Sequence, residues 1–530
     1  MATLCALLDA TASARAIDLQ QVRIDPETGL LRDTYGRTRI FHGVNVVYKK
    51  APWYPPSAAF SPEDSLDNET MDNLRSWGFN VVRLGVMWPG VEPAPGSIDL
   101  AYLAEMRRLA EELARRGVYT MVDLHQDIGS RRFCGEGFPE HYIDELERDP
   151  TSTFSRAAPF PAPLPMRPPA PAANGTAPLL ENCLQHSFTD YYLTEKVGSL
   201  WKELYTPASS LQEGFLRFWR AVANAFVGKP YIVGYELLNE PSGWCLEGDA
   251  LSCAVQPIGN DVETRHLTPL YQAAAEAIRA IDPRTPIWYE PAVLPKVTDV
   301  FKEKPLGNDT QQGLAYHIYC QPGDGAGPMS AAICYMAQDL FTTNYFSWLR
   351  RFKGVGGFMT EFGAIGDTSG ELLHLQRLLR FADDAFQSWT YWMLKKFGDF
   401  TTANAAESLY DEHGELEVPK LKALSRTYAP AIGGTPTRMA FDPDTGAFEL
   451  VFVASVRTAP TVLYVNEELH YPHGYDVEVT PTGCLNMRSL EKNYVELGLA
   501  ASARCFGAVV TVQVHRKAPA NGQRSPQLLV

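Results

Sequence analysis

Over most of the chain, short apolar runs rich in β-branched and aromatic residues alternate with longer stretches whose apolar positions recur at helical spacing. The first run, Arg39 to Val47 (RIFHGVNVV), leads into Tyr48, Lys49 and Lys50 and then a Pro-rich loop. An amphipathic segment from Asp64 to Trp77 precedes the second, Asn80 to Leu84, which carries Arg83. A helix expected from about Leu100 to Arg116, closed by Gly117, feeds the third, Val118 to Leu124, which runs into His125, Gln126 and Asp127. Helical pattern from Thr189 to Phe226 precedes the fourth, inside Tyr231 to Pro241 (YIVGYELLNEP), and a helix over Thr268 to Ile281 precedes the fifth, Pro286 to Tyr289. Gly313 to Tyr319, Gly356 to Thr360 and Ser388 to Met393 are the sixth, seventh and eighth. Eight strands separated by helices predict an α/β chain whose parallel strands close a (β/α)₈ TIM barrel over residues 21–430.

Two segments break the rhythm. Between Phe133 and His186 lies a stretch too rich in Pro and Ala for helix or central strand; it predicts a surface insertion at 155–180 beside the barrel mouth, or a loop with no role. After about Pro430 the pattern changes to short strands such as Phe448 to Ala454, Thr461 to Val465 and Ala508 to Val514, separated by turn residues. That texture predicts a small C-terminal β-sandwich at 431–516, followed by a disordered tail at 517–530. Residues 1–20 read as a disordered leader or a shortened signal peptide: small residues precede a possible cleavage site, but a basic start is lacking and Asp9 interrupts the apolar patch.

Composition narrows the partners. A formal net charge of −15 over 530 residues disfavours nucleic acid and any broadly basic membrane-facing surface. No run of about 18 apolar residues occurs, so a transmembrane helix is not expected. Of the nine cysteines, Cys134 and Cys183 bracket the insertion, while Cys245 with Cys253, Cys320 with Cys334 and Cys484 with Cys505 lie close in sequence. Four bridges with Cys5 in a leader fit a secreted or lysosomal protein; buried free thiols in a cytosolic one are the alternative. None of the spacings is that of a zinc site. Three Asn-X-Thr sites, at Asn68, Asn174 and Asn308, fit secretion but are about as many as chance supplies.

The candidate chemistry sits at strand ends. The fourth strand delivers Asn239 and Glu240, and the stretch Gly356 to Gly363 (GGFMTEFG) delivers Glu361 in the same way. Two carboxyl groups are the minimum for breaking a glycosidic bond: one protonates the leaving oxygen and the other attacks the anomeric carbon. The acid must keep its proton near working pH, and the nucleophile must stay ionised. Arg83, always charged, is the natural partner for an ionised Glu361. Asn239 offers a carboxamide to a sugar 2-hydroxyl, and Trp392 offers a ring on which a pyranose stacks. Taken singly, each has a plainer reading as loop acid, structural ion pair or core ring. Together they fall at the C-terminal ends of strands two, four, seven and eight, the face on which barrel enzymes work.

These residues resemble glycoside hydrolase family five through Leu238 to Pro241 (LNEP) and Thr360 to Gly363 (TEFG), and within it the endoglycoceramidases. The narrower resemblance rests on Asn45 to Lys49, Asn80 to Trp88, Asp123 to Asp127 (DLHQD), Arg132 to Glu140 (RFCGEGFPE) and Tyr428 to Pro436, and covers roughly residues 20 to 515. It implies a retaining hydrolase that cuts glycosphingolipids between oligosaccharide and ceramide. Glu240 would then be acid/base and Glu361 nucleophile. His125, His317 and Tyr319 would line the reacting sugar, with Tyr319 donating to the nucleophile, while Lys49 and Asp127 would contact glycan hydroxyls. The expected partners are a glycosphingolipid and, transiently, a membrane or micelle surface; the chain is expected to be a monomer needing no cofactor and no metal. An exo-acting β-glucosidase for glucosylceramide or a steryl glucoside is the alternative within the family, and a non-catalytic glycolipid-binding protein the alternative outside it. His141, where relatives are expected to carry an indole, and the Pro-rich insertion depart from the pattern near the mouth.

Overall fold

A computed structural model describes residues 19–162, 177–246, 262–293, 300–319, 328–399, 401 and 406–518. Eight parallel strands close a barrel: β1 (His42–Val46), β2 (Val81–Gly85), β3 (Tyr119–Asp123), β4 (Ile232–Glu236), β5 (Ile287–Tyr289), β6 (Gln312–Ile318), β7 (Gly356–Phe362) and β8 (Ser388–Tyr391). Each expected strand is present, with ends shifted by a few residues.

The helices form where the sequence supplies both a cap and an apolar stripe. Asp99 accepts from the backbone N–H groups of Ala101 and Tyr102 to start Leu100–Arg115, which buries Leu103, Met106, Leu109, Ala110 and Leu113; Gly117 follows at φ +79°. Thr368 and Glu371 form a reciprocal capping box on Ser369–Asp384. Helical pattern between Thr189 and Phe226 resolves into three helices, Phe188–Tyr192, Glu195–Tyr205 and Ser210–Phe226.

The barrel interior has two unlike ends. At the N-terminal ends of the strands, Phe41, Val81, Tyr119, Met121, Val233, Trp288 and Phe358 form one dry cluster, plugged from below by Val22, Ile24 and Leu31. Trp288 fits because its neighbours are glycine: a Cβ on Gly234 would stand 2.0 Å from its Nε1, and one on Gly313 would stand 2.2 Å from its ring. The other end is where the polar side chains gather.

The C-terminal segment forms a second unit of antiparallel sheets. One, of four strands, is made by Gly434–Phe441, Phe448–Ala454, Val509–Arg516 and Tyr475–Thr480. The other has seven strands and includes Val22–Ile24, Leu31–Asp33 and Thr38–Arg39, through the pairing of Ala431 with Arg39. The start of the chain therefore belongs to the same sheet as its end. His42, stacked between Trp389 and Tyr428 at centroid distances of 4.3 and 3.7 Å, and the ion pair of Arg426 with Asp383 at 2.5 Å join this unit to the barrel.

Cys134 bonds Cys183, and Cys484 bonds Cys505, as expected. Cys245 and Cys334 are also disulfide-bonded, but their expected partners Cys253 and Cys320 lie outside the described residues, as do most of the leader, the tail and the centre of the Pro-rich insertion. No described helix is long and apolar enough to cross a membrane.

Candidate active site

Arg83 is the hub. Strand alternation turns it into the barrel from β2, and its fully buried guanidinium meets a ring of acceptors. Nε donates to Glu236 Oε2 at 2.6 Å, Nη1 to Glu361 Oε1 at 2.6 Å and Asn45 Oδ1 at 3.0 Å, and Nη2 to Asn239 Oδ1 at 2.8 Å. Asp123 lies 3.2 Å from Nη2 and Glu290 3.6 Å. Burial opposes the charge, but these carboxylates outweigh it and hold the arginine well above its ordinary range.

An irregularity in the sheet aims Glu361. β7 has one more residue than β6 between the pairs Tyr316/Met359 and His317/Glu361, leaving Thr360 without a partner. The extra residue changes which side chains face inward, so Glu361 joins the interior above Phe358. Its second oxygen accepts from the Tyr319 hydroxyl at 2.7 Å. Burial raises the Glu361 carboxyl above its usual value, while His317 and Arg83 pull it back.

Glu240 follows β4 at φ +41°, a left-handed backbone in which a non-glycine residue is strained. Its Oε1 lies 2.8 Å from His317 Nδ1, and a carboxyl oxygen of Glu240, one of Glu361 and a ring nitrogen of His317 all fall within 4.8 Å of one another. Burial, then the Asp127 carboxylate, pushes Glu240 up to about 7. Burial takes His317 down to about 4, so the imidazole facing both acids is neutral at pH 7.

A second group lies beside the pair. His125 stands between Asp123 (Nδ1 to Oδ2, 2.9 Å) and Asp127 (Nε2 to Oδ2, 3.3 Å); burial alone would lower its pKa, but the two carboxylates raise it to about 10. Lys49 Nζ pairs with Asp127, donates to Thr401 at 3.0 Å and approaches Asp399 at 3.1 Å and Glu136 at 3.5 Å. Its side chain is 1% exposed against 50% for Lys50, so Lys49 is the lysine that reaches the site. Trp392 packs against both: His125 stacks on it at 5.2 Å and the Lys49 ammonium lies 4.8 Å from its ring centre. Its buried Nε1 has no hydrogen-bond partner among the described residues. Asn239 is more committed than its sequence suggests, since Oδ1 is taken by Arg83 and Nδ2 donates to the Gln126 carbonyl at 3.0 Å; one N–H remains.

All ten sequence-nominated residues thus meet at the C-terminal ends of the strands. Sequence reasoning missed Asp123, Glu236 and Glu290. Glu290 carried a usable signal, because it stands before Pro291 after a strand as Glu240 stands before Pro241. Three groups of ligand atoms, from His125, Asp127 and Glu136, from Glu236, Glu290 and His317, and from Glu240, His317 and Glu361, lie close enough to hold a cation. In each case a protein cation, Lys49 or Arg83, already provides the positive charge.

Residues 37–398 match the family described as cellulase (glycosyl hydrolase family 5), and residues 426–514 match the glycoside hydrolase family 5 C-terminal domain. An endoglycoceramidase of Cyanea nozakii is 32% identical over 480 residues, covering 89% of this chain and 90% of its own. Among solved structures, endo-glycoceramidase II from Rhodococcus sp. in complex with ganglioside GM3 superposes with a TM-score of 0.68 at 21% identity, over 92% of this chain and 99% of that one. Cryptococcus neoformans sterylglucosidase 1 superposes as well, at 0.69 with 13% identity over 94% and 97%, so likeness of fold does not separate the cleavage points.

Proposed function

The chain belongs to glycoside hydrolase family 5, and we propose that it cuts the β-glucosyl bond joining the intact oligosaccharide of a glycosphingolipid to ceramide, with retention at the anomeric carbon. The observation that carries this is the pair Glu240 and Glu361, with oxygens within 4.8 Å and unlike surroundings. That spacing suits direct attack on the sugar; an inverting enzyme needs about 6.5–9.5 Å to admit a water. Glu361, bonded to a permanent cation and a phenol, attacks the anomeric carbon while Glu240, protonated near neutrality, gives its proton to the ceramide oxygen. Ceramide leaves, a glycosyl ester remains on Glu361, and Glu240, now a carboxylate, takes a proton from the water that hydrolyses the ester.

The surrounding residues have roles in the same scheme. Tyr319 and Arg83 stabilise the returning carboxylate, and Asn239 has one N–H for the sugar 2-hydroxyl. His125, as an imidazolium, and Trp392 line the reacting sugar. Asp127 faces glycan hydroxyls, with Lys49 alongside it. The chain works as a monomer, in transient contact with the membrane or micelle holding the lipid, and its disulfides suit an extracellular or lysosomal setting.

Product analysis by mass spectrometry, after incubation in detergent with a ganglioside, lactosylceramide and glucosylceramide side by side, tests the cleavage point. Intact oligosaccharide with free ceramide is expected. Glucose from glucosylceramide alone would replace this reading with the exo-acting β-glucosidase, and binding without turnover of any substrate would leave a glycolipid-binding protein.

A further inference from the structure

Beneath the reacting pair lies a second pair of carboxyl groups that the mechanism does not use. Glu236 ends β4 and Glu290 follows β5; both are buried. Glu236 is held by Arg83, whereas Glu290 has no cation within 3.5 Å. Its contacts instead lead towards the acid. Oε2 accepts from the backbone N–H of Glu240 at 3.3 Å, and Oε1 faces His317 Nε2 at 3.4 Å. Neither Glu290 Oε1 nor His317 Nε2 has a hydrogen-bond partner among the described residues, and the two face each other. At 3.4 Å the contact is an electrostatic bias on the ring rather than a formed hydrogen bond. The Glu290 backbone is itself fixed, its carbonyl accepting from the Tyr271 hydroxyl at 2.8 Å.

We infer that Glu290 is a positioning residue for Glu240, acting through the Glu240 backbone and through His317, whose proton it holds on Nε2 so that a bare Nδ1 faces the acid. A neutral imidazole has one N–H, and the group facing one nitrogen decides what the other can do. Arg83 Nη2 stands 3.6 Å from Oε1 as well, and that positive charge favours the bare oxygen there and a carboxyl proton on Oε2. With the proton on Nε2, Nδ1 accepts from the protonated carboxyl of Glu240 at 2.8 Å and favours the form needed to start the reaction. The charged and titratable groups facing Glu290 are Arg83 from β2, Glu236 from β4, Glu240, His317 from β6 and Glu361 from β7, with Tyr271 from the helix Thr268–Arg279 and Tyr345 from the helix Pro328–Arg351. Burial and Glu236 keep Glu290 itself well above the ordinary carboxyl range, so a neutral amide is a fair substitute.

This inference rests on the acid role of Glu240, and the test separates the two. Glu290→Leu, Glu290→Gln and Glu240→Ala are compared with the parent on a glycolipid and on an aryl glycoside whose leaving group needs no proton. Glu290→Leu is expected to lose about 100-fold in kcat/KM on glycolipid but no more than about threefold on the aryl glycoside, and to move the basic limb of its glycolipid pH profile down by about one unit. Glu290→Gln, which keeps an acceptor for Nε2–H, is expected to stay within about tenfold on glycolipid with the limb in place. Equal losses on both substrates in Glu290→Leu, or a folded Glu290→Gln that behaves like it, would overturn the inference. If Glu290→Leu does not fold, Glu290→Asp takes its place: its shorter reach is expected to lose glycolipid turnover selectively, and an Asp variant more active than the Gln variant overturns the inference. Should Glu240→Ala lose both substrates equally, the acid reading falls and this inference with it.

Discussion

The same eight strands build two ends that obey opposite rules. At the N-terminal end, Trp288 and its neighbours fill the barrel with apolar atoms, and glycines at 234 and 313 make room for the indole. At the C-terminal end, five carboxyl groups, Asp123, Glu236, Glu240, Glu290 and Glu361, crowd one guanidinium. Apolar burial stabilises with little regard to direction, whereas buried charges are at best a weak source of stability and require every partner in place. Fold stability therefore resides below and chemistry above. A lesion at one end should leave the other's property largely intact.

The largest effect expected is on chemistry alone. Glu361→Gln should lower glycolipid turnover by at least about 10⁴-fold while glycolipid binding and the unfolding midpoint change little, as read by steady-state assay, calorimetric titration and thermal melts. Trp288→Ala is the mirror image. It removes a fully buried indole and should cost about 3–5 kcal/mol of stability in denaturant titration, with kcat of the folded fraction close to that of the parent. Loss of kcat at full stability in that variant would break the division.

A smaller effect sharpens the contrast through pH. The Glu240 carboxyl lies at about 7 in the folded protein against an ordinary 4.5, so the unfolded chain releases this proton first. Its contribution to stability is fully present below pH 4.5 and is lost as pH rises through 7. Glu240→Gln lacks that loss, so its melting temperature relative to the parent should be higher at pH 8 than at pH 5, by the equivalent of about 1–3 kcal/mol. A difference that does not change with pH would mean that Glu240 is not held protonated. The smallest expected effect belongs to Lys50. Half exposed and 4.0 Å from Asp64, it should cost less than about 0.5 kcal/mol on replacement by Ala and leave kcat/KM unchanged, whereas Lys49→Ala strips the cation from Asp127 and Asp399 and should lower kcat/KM.

The barrel was legible because its strands are local signals: runs such as Tyr231 to Leu238 are short, apolar and stopped by turn residues. Polar residues at the ends of those runs also marked where Arg83, Asn239, Glu240 and Glu361 would meet. Contacts set by distant pairing were not legible. Nothing in Val22–Ile24 or Leu31–Asp33 announces that they share a sheet with strands more than 400 residues later, since that pairing is decided by backbone hydrogen bonds and by the plug they form under Trp288. The insertion of Thr360 that turns Glu361 inward is a shift in register against β6, which no local pattern records. Glu236 and Asp123 were missed because a carboxylate inside an apolar strand reads as an interruption until the arginine opposite is known. Lys49 could be chosen over Lys50 from motif position, but its enclosure by Asp127, Glu136 and Asp399 is a property of three loops brought together.

The most direct test of the paired-carboxylate account is to trap the intermediate. The protein would be incubated with a 2-deoxy-2-fluoro lactoside bearing an activated leaving group, its intact mass recorded, and the labelled peptide sequenced. One glycosyl adduct per chain, on Glu361 and absent from Glu361→Gln, is predicted. An adduct on another residue, or turnover that yields product of inverted anomeric configuration with no adduct, would contradict it.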